Sequence, residues 1–298
     1  MPSGPGTEER NPRTSELDRW SSREIVDALL HEDAIAVHAA LSNAAAIAEA
    51  IERAAERIAQ GGSIHYFGAG ASGRLAFVDA TEAVPTFGVP PRLFTAHFPG
   101  GAAALMDSQI DFEDADDLGY TDAACLQAND VAVGITASGT TAYVRGALRR
   151  ARELGTLTIL LTCNPGSPLE DLADLRVVAE TGPEVLTGST RLKAGTATKA
   201  IVNAFSTGVM VRSGHVYSNL MVGLIATNEK LRRRAVSILA MASSLPREAC
   251  EAALNECGGE LRTALVRVLT EQSPARCRAA LAEREHVREV VELLGRHR

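Results

Sequence analysis

The chain has 298 residues, 46% hydrophobic and 22% charged, with 37 acidic against 30 basic side chains and a net charge of −7. That balance argues against broad nucleic-acid binding, which needs a basic surface. No apolar run approaches the ~20 residues that span a bilayer, so no membrane association is expected.

The opening "MPSGPGTEERNPRTSEL" is polar, contains prolines and lacks the apolar core of a secretory signal. It is expected to form an arm over residues 1–20, mobile over 1–13. From about Ser22 to Gln60 the chain is rich in Ala, Ile, Leu and Glu and reads as helix, stopped by Gly61-Gly62. Five β-prone runs then alternate with helical segments: "SIHYF" (63–67), "RLFTA" (92–96), "VAVGIT" (131–136), "TLTILLT" (156–162) and "LRVVAE" (175–180). Several are apolar throughout, which suits strands buried on both faces of a parallel sheet. The alternation predicts an α/β, doubly wound parallel five-stranded sheet flanked by helices, with ligands at the carboxyl ends of the strands. A long helical stretch is expected from about Thr196 to Ala242, its "KLRRR" (230–234) a solvated face, followed over 243–283 by short helices. The expected organisation is an arm (1–20), an α/β domain with N-terminal helices (21–240) and a small C-terminal helical cap (241–298).

Gly68, Gly70 and Gly73 spell G-x-G-x-x-G between a strand and a helix, a pattern that on its own suggests a dinucleotide site. The acid expected some twenty residues on is missing, because "RLFTAHFPGG" ends its strand in His97 and Phe98. A Walker loop is excluded too, since Arg74-Leu75 follows Gly73 where Lys-Ser/Thr would stand. What remains is a strand-to-helix turn whose backbone N–H groups, helped by the helix dipole and by Ser72, can meet an anion. After the third strand comes "TASGTT" (136–141), a second turn of small hydroxyl residues. The loops after strands one and three flank the switch point of a doubly wound sheet, so Ser72, Ser138, Thr140 and Thr141 read as a metal-free cradle for a phosphate monoester. His65, His97 and His215 have no H-x-x-x-H spacing, and Cys125, Cys163, Cys250, Cys257 and Cys277 form no C-x-x-C pair. No metal site is therefore expected, and the thiols read as reduced, in a cytoplasmic protein.

"GAGASGRL", "ASGTT" and above all "GPEVLTGSTRLKAGTATK" (182–199) resemble the sugar isomerase (SIS) fold, and within it the N-acetylmuramic acid 6-phosphate etherases, with glucokinase regulatory protein as a more distant relative. "TEERNPRTSELD" (7–18) and "FSTGVMVRSGHVYSNLMV" (205–222) continue the resemblance from about Thr7 to Arg234. It implies a cytoplasmic homodimeric lyase of cell-wall sugar recycling that uses no cofactor and releases D-lactate from N-acetylmuramic acid 6-phosphate. It also implies two catalytic glutamates, which correspond to Glu82 in "ATEAVPTFG" and Glu113 in "DFEDADD". By themselves these two read as a helix-end carboxylate and as part of a solvated acidic run. The departures are Thr140 and Ala142 in "SGTTAY", where the family usually has "SGRTPY", "AVP" after Glu82 in place of "CPP", and Gly223 where an acid usually follows "NLMV".

The implied chemistry assigns a role to each carboxyl. In the open-chain sugar, carbon 2 lies beside an aldehyde, so its proton is removable; loss of that proton and of the lactyl oxygen at carbon 3 gives an unsaturated aldehyde, to which water adds. This needs one base and one acid, here Glu113 and Glu82 respectively. Ser189, Thr190 and Glu184 are expected at sugar hydroxyls, and Arg191 and Lys193 at negative charge, with Arg191 suited to the lactyl carboxylate. An alternative for "GSTRLKAGTATK" is that Arg191 or Lys193 pairs with Glu184 to hold the loop. Two other functions compete with the lyase: a non-catalytic sugar-phosphate sensor and an aldose–ketose isomerase. The paired glutamates, a length that fits one SIS unit, and the 182–196 block favour the lyase.

Overall fold

In the computed structural model, residues 5–295 are described, apart from 108, 110, 225–227 and 285. The chain divides into two units, residues 1–81 with 92–208, and residues 82–91 with 209–298.

In the first unit, α1 (Ser22–Ser42) opens on a reciprocal cap: the Glu24 carboxylate accepts from the Ser21 N–H at 2.8 Å, and the Ser21 hydroxyl accepts from the Glu24 N–H. α2 (Ala44–Ala59) follows at a 56° bend. The helical stretch expected over 22–60 is thus two helices, and Asn43 stands at the bend between them. Its amide donates to the Val178 carbonyl (2.8 Å) and accepts from the Val178 N–H (3.0 Å), so the side chain serves an edge strand's backbone.

The strands are β1 (Ile64–Gly68), β2 (Phe94–His97), β3 (Val131–Thr136), β4 (Leu157–Thr162) and β5 (Leu175–Val178), all parallel in the order β2-β1-β3-β4-β5. β1, β3 and β4 are buried along their whole length, as largely apolar strands covered on both faces require. α3 (Gly70–Phe87), α4 (Gly101–Met106), α5 (Asp116–Asp122), α6 (Ala142–Glu153) and α7 (Lys193–Arg212) complete the layers. The order reverses between β1 and β3, so the turns after these two strands open onto one crevice.

The arm is docked rather than mobile over its described part. The Thr7 N–H donates to Asn164 Oδ1 (3.1 Å), Asn164 Nδ2 donates back to Thr7 Oγ1 (2.9 Å), and Thr14 Oγ1 donates to the Val185 carbonyl (2.8 Å). Thr7, Asn11 and Thr14 are buried.

The second unit corrects the helix expected over 196–242. α7 ends at Arg212, and a hairpin of β6 (Val216–Tyr217) and β7 (Leu220–Met221) follows, with Ser218 in the left-handed region at φ 56°. α8 (Glu229–Ser243) then packs with α9 (Arg247–Glu256), α10 (Leu261–Thr270), α11 (Pro274–Glu283) and α12 (Val287–Gly295). Its core includes Val222, Val236 and Leu239 with Leu254, Leu265 and Val290, so the helical unit begins upstream of the boundary expected at residue 241. Gly223 has a steric reason: a Cβ there would lie 1.8 Å from the Phe87 carbonyl oxygen, so the acid usual at this position does not fit. No single helix among the described residues is long and apolar enough to cross a membrane.

Candidate active site

The first glycine turn is built by close approach. Gly70 has φ 54°, and a Cβ on Gly73 would lie 2.2 Å from the Gly68 carbonyl oxygen. β1 therefore passes within one residue into α3, whose first turn carries Ser72, half-buried, with the N-terminal N–H groups beside it.

The second turn is held by its own hydroxyls. The Gly139 N–H donates to Thr136 Oγ1 (3.1 Å), and Thr136 Oγ1 is paired with Thr141 Oγ1 (2.8 Å). Thr141 Oγ1 in turn donates to Glu113 Oε1 at 3.0 Å. That last donation fixes the direction of the chain: each hydroxyl passes its proton toward the carboxylate. Ser138 Oγ accepts from the Thr140 N–H (3.3 Å) and shares a hydrogen bond with Thr140 Oγ1 (3.0 Å).

These elements enclose a cavity of about 450 Å³ whose lining includes Ser72, Glu113, Ser138, Thr140, Thr141 and Thr190. A second, more open chamber of about 820 Å³ shares Gly70, Ala71, Glu113, Gly188 and Thr190 with it and adds Arg74, Ser189, Arg191, Thr196 and Lys199. Glu113 stands at their common wall, exposed. The smaller chamber offers hydroxyls and backbone N–H groups; the larger carries the cations. Arg74 is anchored, donating to the Leu105 carbonyl (3.1 Å) and the Ala104 carbonyl (3.2 Å) with its guanidinium 5.1 Å over the Phe98 ring. Arg191 is exposed and forms no hydrogen bond or ion pair among the described residues.

Two expected ligands are elsewhere. Glu184 is fully buried, and its carboxylate accepts from the Lys193 and Ala194 N–H groups, both at 2.9 Å, at the N-terminus of α7. Burial pushes this carboxyl up despite those two donors. Lys193 is 1% exposed; its Nζ donates to Glu32 Oε2 (2.5 Å) and to the Pro183 carbonyl (2.7 Å). Burial works to raise the Glu32 carboxyl, but Lys193 and Arg13 outweigh it and hold it below the usual range. Neither residue lines either chamber, and in this structure both hold the loop that carries Ser189, Thr190 and Arg191. The loop-holding alternative comes closer, although Glu184 is bonded to the Lys193 backbone and the ammonium to Glu32.

Glu82 stands on α3, twelve residues (70 to 82) and about 18 Å of helix beyond Gly70, and is exposed. Glu82 is in the lining of neither chamber. Sequence reasoning missed Pro5 and Glu8, which line the smaller chamber, and Arg74 and Lys199 in the larger. For Glu8 the signal was that "TEERNP" (7–12) belongs to the resemblance; Pro5 lies outside it.

Residues 46–152 match the glucokinase regulatory protein N-terminal SIS domain, and residues 107–208 match the SIS domain. The chain is 48% identical over 264 residues to an N-acetylmuramic acid 6-phosphate etherase of Thermobifida fusca (strain YX), covering 89% of this chain and 87% of that one. It is 45% identical over 278 residues to the enzyme of the same name from Rubrobacter xylanophilus, covering 93% and 92%. Among solved structures, a phosphoheptose isomerase from Francisella tularensis superposes with a TM-score of 0.53 at 19% identity, covering 64% of this chain and all of that one, a likeness of fold alone.

Proposed function

This chain belongs to the N-acetylmuramic acid 6-phosphate etherase family, and on that premise we propose that it cleaves the D-lactyl ether of N-acetylmuramic acid 6-phosphate to D-lactate and N-acetylglucosamine 6-phosphate. The observation that carries the reading is the hydroxyl-lined cavity of about 450 Å³ that gathers Ser72, Ser138, Thr140 and Thr141 around a carboxylate, Glu113. The phosphoryl group binds the hydroxyls and the N-terminus of α3. Arg191, with its guanidinium free, takes the lactyl carboxylate in a bidentate pair, and Ser189 and Thr190 meet sugar hydroxyls. Glu113 removes the carbon-2 proton, oriented by the Thr141 hydroxyl. Glu82 lines neither chamber of its own chain, so the acid that protonates the departing lactyl oxygen is assigned to Glu82 of a second copy of the chain; water then adds at carbon 3.

The working form on this reading is a homodimer. α1 carries Val26, Leu30, Val37 and Leu41, from 49% to 67% exposed, and their spacing of 4, 7 and 4 residues puts them within one narrow stripe of the helix. Phe77 and Val78 on α3 are also exposed, at 40% and 57%. An exposed apolar stripe of this kind is what a second copy covers. The five free cysteines, four of them buried, fit a reducing cytoplasm and a role in cell-wall sugar recycling.

The test is D-lactate release from N-acetylmuramic acid 6-phosphate by the wild type, Glu82→Gln and Glu113→Gln. A general acid or base is worth ~10²–10⁴ in rate, so each variant is expected to lose at least ~100-fold. More than a tenth of wild-type activity in both variants would contradict the assigned roles. Tight hexose-phosphate binding without lactate release by the wild type would point to a sensor instead.

A further inference from the structure

One cluster of side chains plays no part in the reaction proposed above. A ring nitrogen of His65, a ring nitrogen of His97 and the thiol sulfur of Cys125 lie within 4.8 Å of one another, on the second residue of β1, the last of β2 and the turn before β3. Parallel pairing explains the first two: β1 and β2 run in register from Ile64↔Phe94 to Phe67↔His97, so the rings reach across adjacent strands on one face of the sheet. His65 is 9% exposed, whereas Cys125 is open to solvent.

The hydrogen bonds set the tautomer. Ser63 Oγ donates to Asp130 Oδ1 at 2.8 Å, so its lone pair accepts from His65 Nε2 at 3.0 Å. His65 therefore carries its proton on Nε2, and its Nδ1 presents a bare lone pair toward His97 Nε2, 2.9 Å away. Asp130, 3.9 Å from His65 Nε2 and accepting also from the Ser63 and Gln127 N–H groups, stands behind the ring. A carboxylate backing an imidazole in this way is the arrangement that orients metal-bound histidines. The ring centroids are 5.2 Å apart with 18° between planes, so the two nitrogens face each other edge to edge, and each ring has to turn to aim its lone pair at a shared ion.

We propose that His65 Nδ1, His97 Nε2 and Cys125 Sγ form a binding site for a thiophilic divalent ion, Zn²⁺ by its donor set, with solvent as the fourth ligand. Two imidazoles and a thiolate suit Zn²⁺. At metal–nitrogen distances of about 2.0–2.1 Å and metal–sulfur of about 2.3 Å, tetrahedral ligand atoms lie roughly 3.3–3.7 Å apart. The histidine nitrogens need to part by a few tenths of an ångström and both rings to turn by roughly 35° to reach a tetrahedral angle at the ion, and the exposed Cys125 side chain closes the remaining gap by rotation. On binding, the Cys125 thiol proton leaves to solvent and the His97 proton moves from Nε2 to Nδ1, so no redox partner is required. The ion clips together β1, the end of β2 and the turn before β3. This site is independent of the lactyl-ether reaction.

The probe is Co²⁺ alone, titrated into the chelator-treated full chain and followed by absorption. The expected result is a thiolate-to-cobalt charge-transfer band saturating at one ion per chain and displaced by Zn²⁺. Cys125→Ser, at an exposed position, is expected to abolish that band and leave D-lactate release unchanged. It should also weaken binding by more than the ~10–100-fold that loss of an outer-shell partner costs. His97→Gln should weaken binding to a similar extent. Absence of a thiolate band at millimolar Co²⁺, or a band that survives in Cys125→Ser, would overturn the proposal.

Discussion

Replacing Lys193 by Met separates a structural lysine from a substrate ligand. The ammonium is 1% exposed and bonded to Glu32, whose carboxylate has one other cationic partner among the described residues, Arg13. Removing one member of a buried ion pair costs about 3–5 kcal/mol, because the remaining charge is left without water. Arg13 is 57% exposed at its side chain and relieves only a fraction of a kcal/mol. At ~2–4 °C per kcal/mol for a unit of this size, the melting temperature is expected to fall by roughly 6–20 °C. The second arm is Lys193→Met with Glu32→Leu: once both charges are gone the penalty disappears, and most of the stability is expected to return. The assay pairs thermal unfolding by circular dichroism with D-lactate kinetics well below the transition, where KM for the sugar phosphate should be near the wild-type value. A raised KM with an unchanged melting temperature would refute this and make Lys193 a substrate ligand after all.

Thr141→Val removes the hydroxyl that orients Glu113 and keeps the side-chain volume; a lost hydrogen bond to a charged group, ~1.5–3 kcal/mol, predicts a kcat lower by ~10–100-fold, while a kcat within twofold would mean that Glu113 is oriented otherwise. Thr140→Arg restores a cation at an exposed edge of the phosphate cradle; at ~0.2–1 kcal/mol for an exposed pair, KM is expected to fall by no more than ~5-fold, and a rise would indicate that the hydroxyl itself binds substrate. Burial, reinforced by His65, pushes His97 down to about 4 from 6.5. Above pH 6.5 the ring is neutral in both folded and unfolded chains; as pH falls toward 4 only the unfolded chain takes up the proton, so stability is lost across that window by about 3 kcal/mol. His97→Gln, with chelator present, is expected to flatten that part of a urea-unfolding series, and an unchanged slope would contradict it.

The sheet was legible because burial on both faces leaves a plain mark: "VAVGIT" and "TLTILLT" have no polar alternation, and both became fully buried strands. The two hydroxyl turns were legible because short polar residues between such a strand and a helix have few other uses. The 182–199 block was harder. Its Ser, Thr, Arg, Lys and Glu are all plausible ligands by type, and what sorts them is where α7 begins. Arg191 precedes the helix and stays in solvent. Lys193 is its first residue and turns inward, and Glu184 is spent on the N–H groups that the helix start leaves unpaired. The bend at Asn43 and the hairpin at 216–221 depend on tertiary partners, β5's edge for one and the second unit's core for the other. The His65–His97–Cys125 cluster was invisible to spacing because sheet register, not sequence distance, brings its members together.

A carboxylate inside an anion-binding crevice looks self-defeating, and the division of the crevice into two chambers resolves it. The smaller chamber binds with dipoles and hydroxyls, the larger is lined by Arg74, Arg191 and Lys199, and Glu113 lies on the wall they share. A substrate with a phosphoryl group at one end and a carboxylate near the other spans both chambers and sets its reactive carbons beside that wall. Two negative groups at ~6–8 Å from Glu113 repel it by roughly 0.5–3 kcal/mol each, depending on how much water remains. The hydroxyl chain and the cations offset much of this in the bound state. What is left is relieved when the carboxylate takes up a proton, and abstraction from carbon 2 is that uptake. On this reading the anions that bind the substrate also drive its first step. A substrate analogue lacking the lactyl carboxylate should therefore lose kcat as well as affinity, whereas a loss confined to KM would show that the charges only bind.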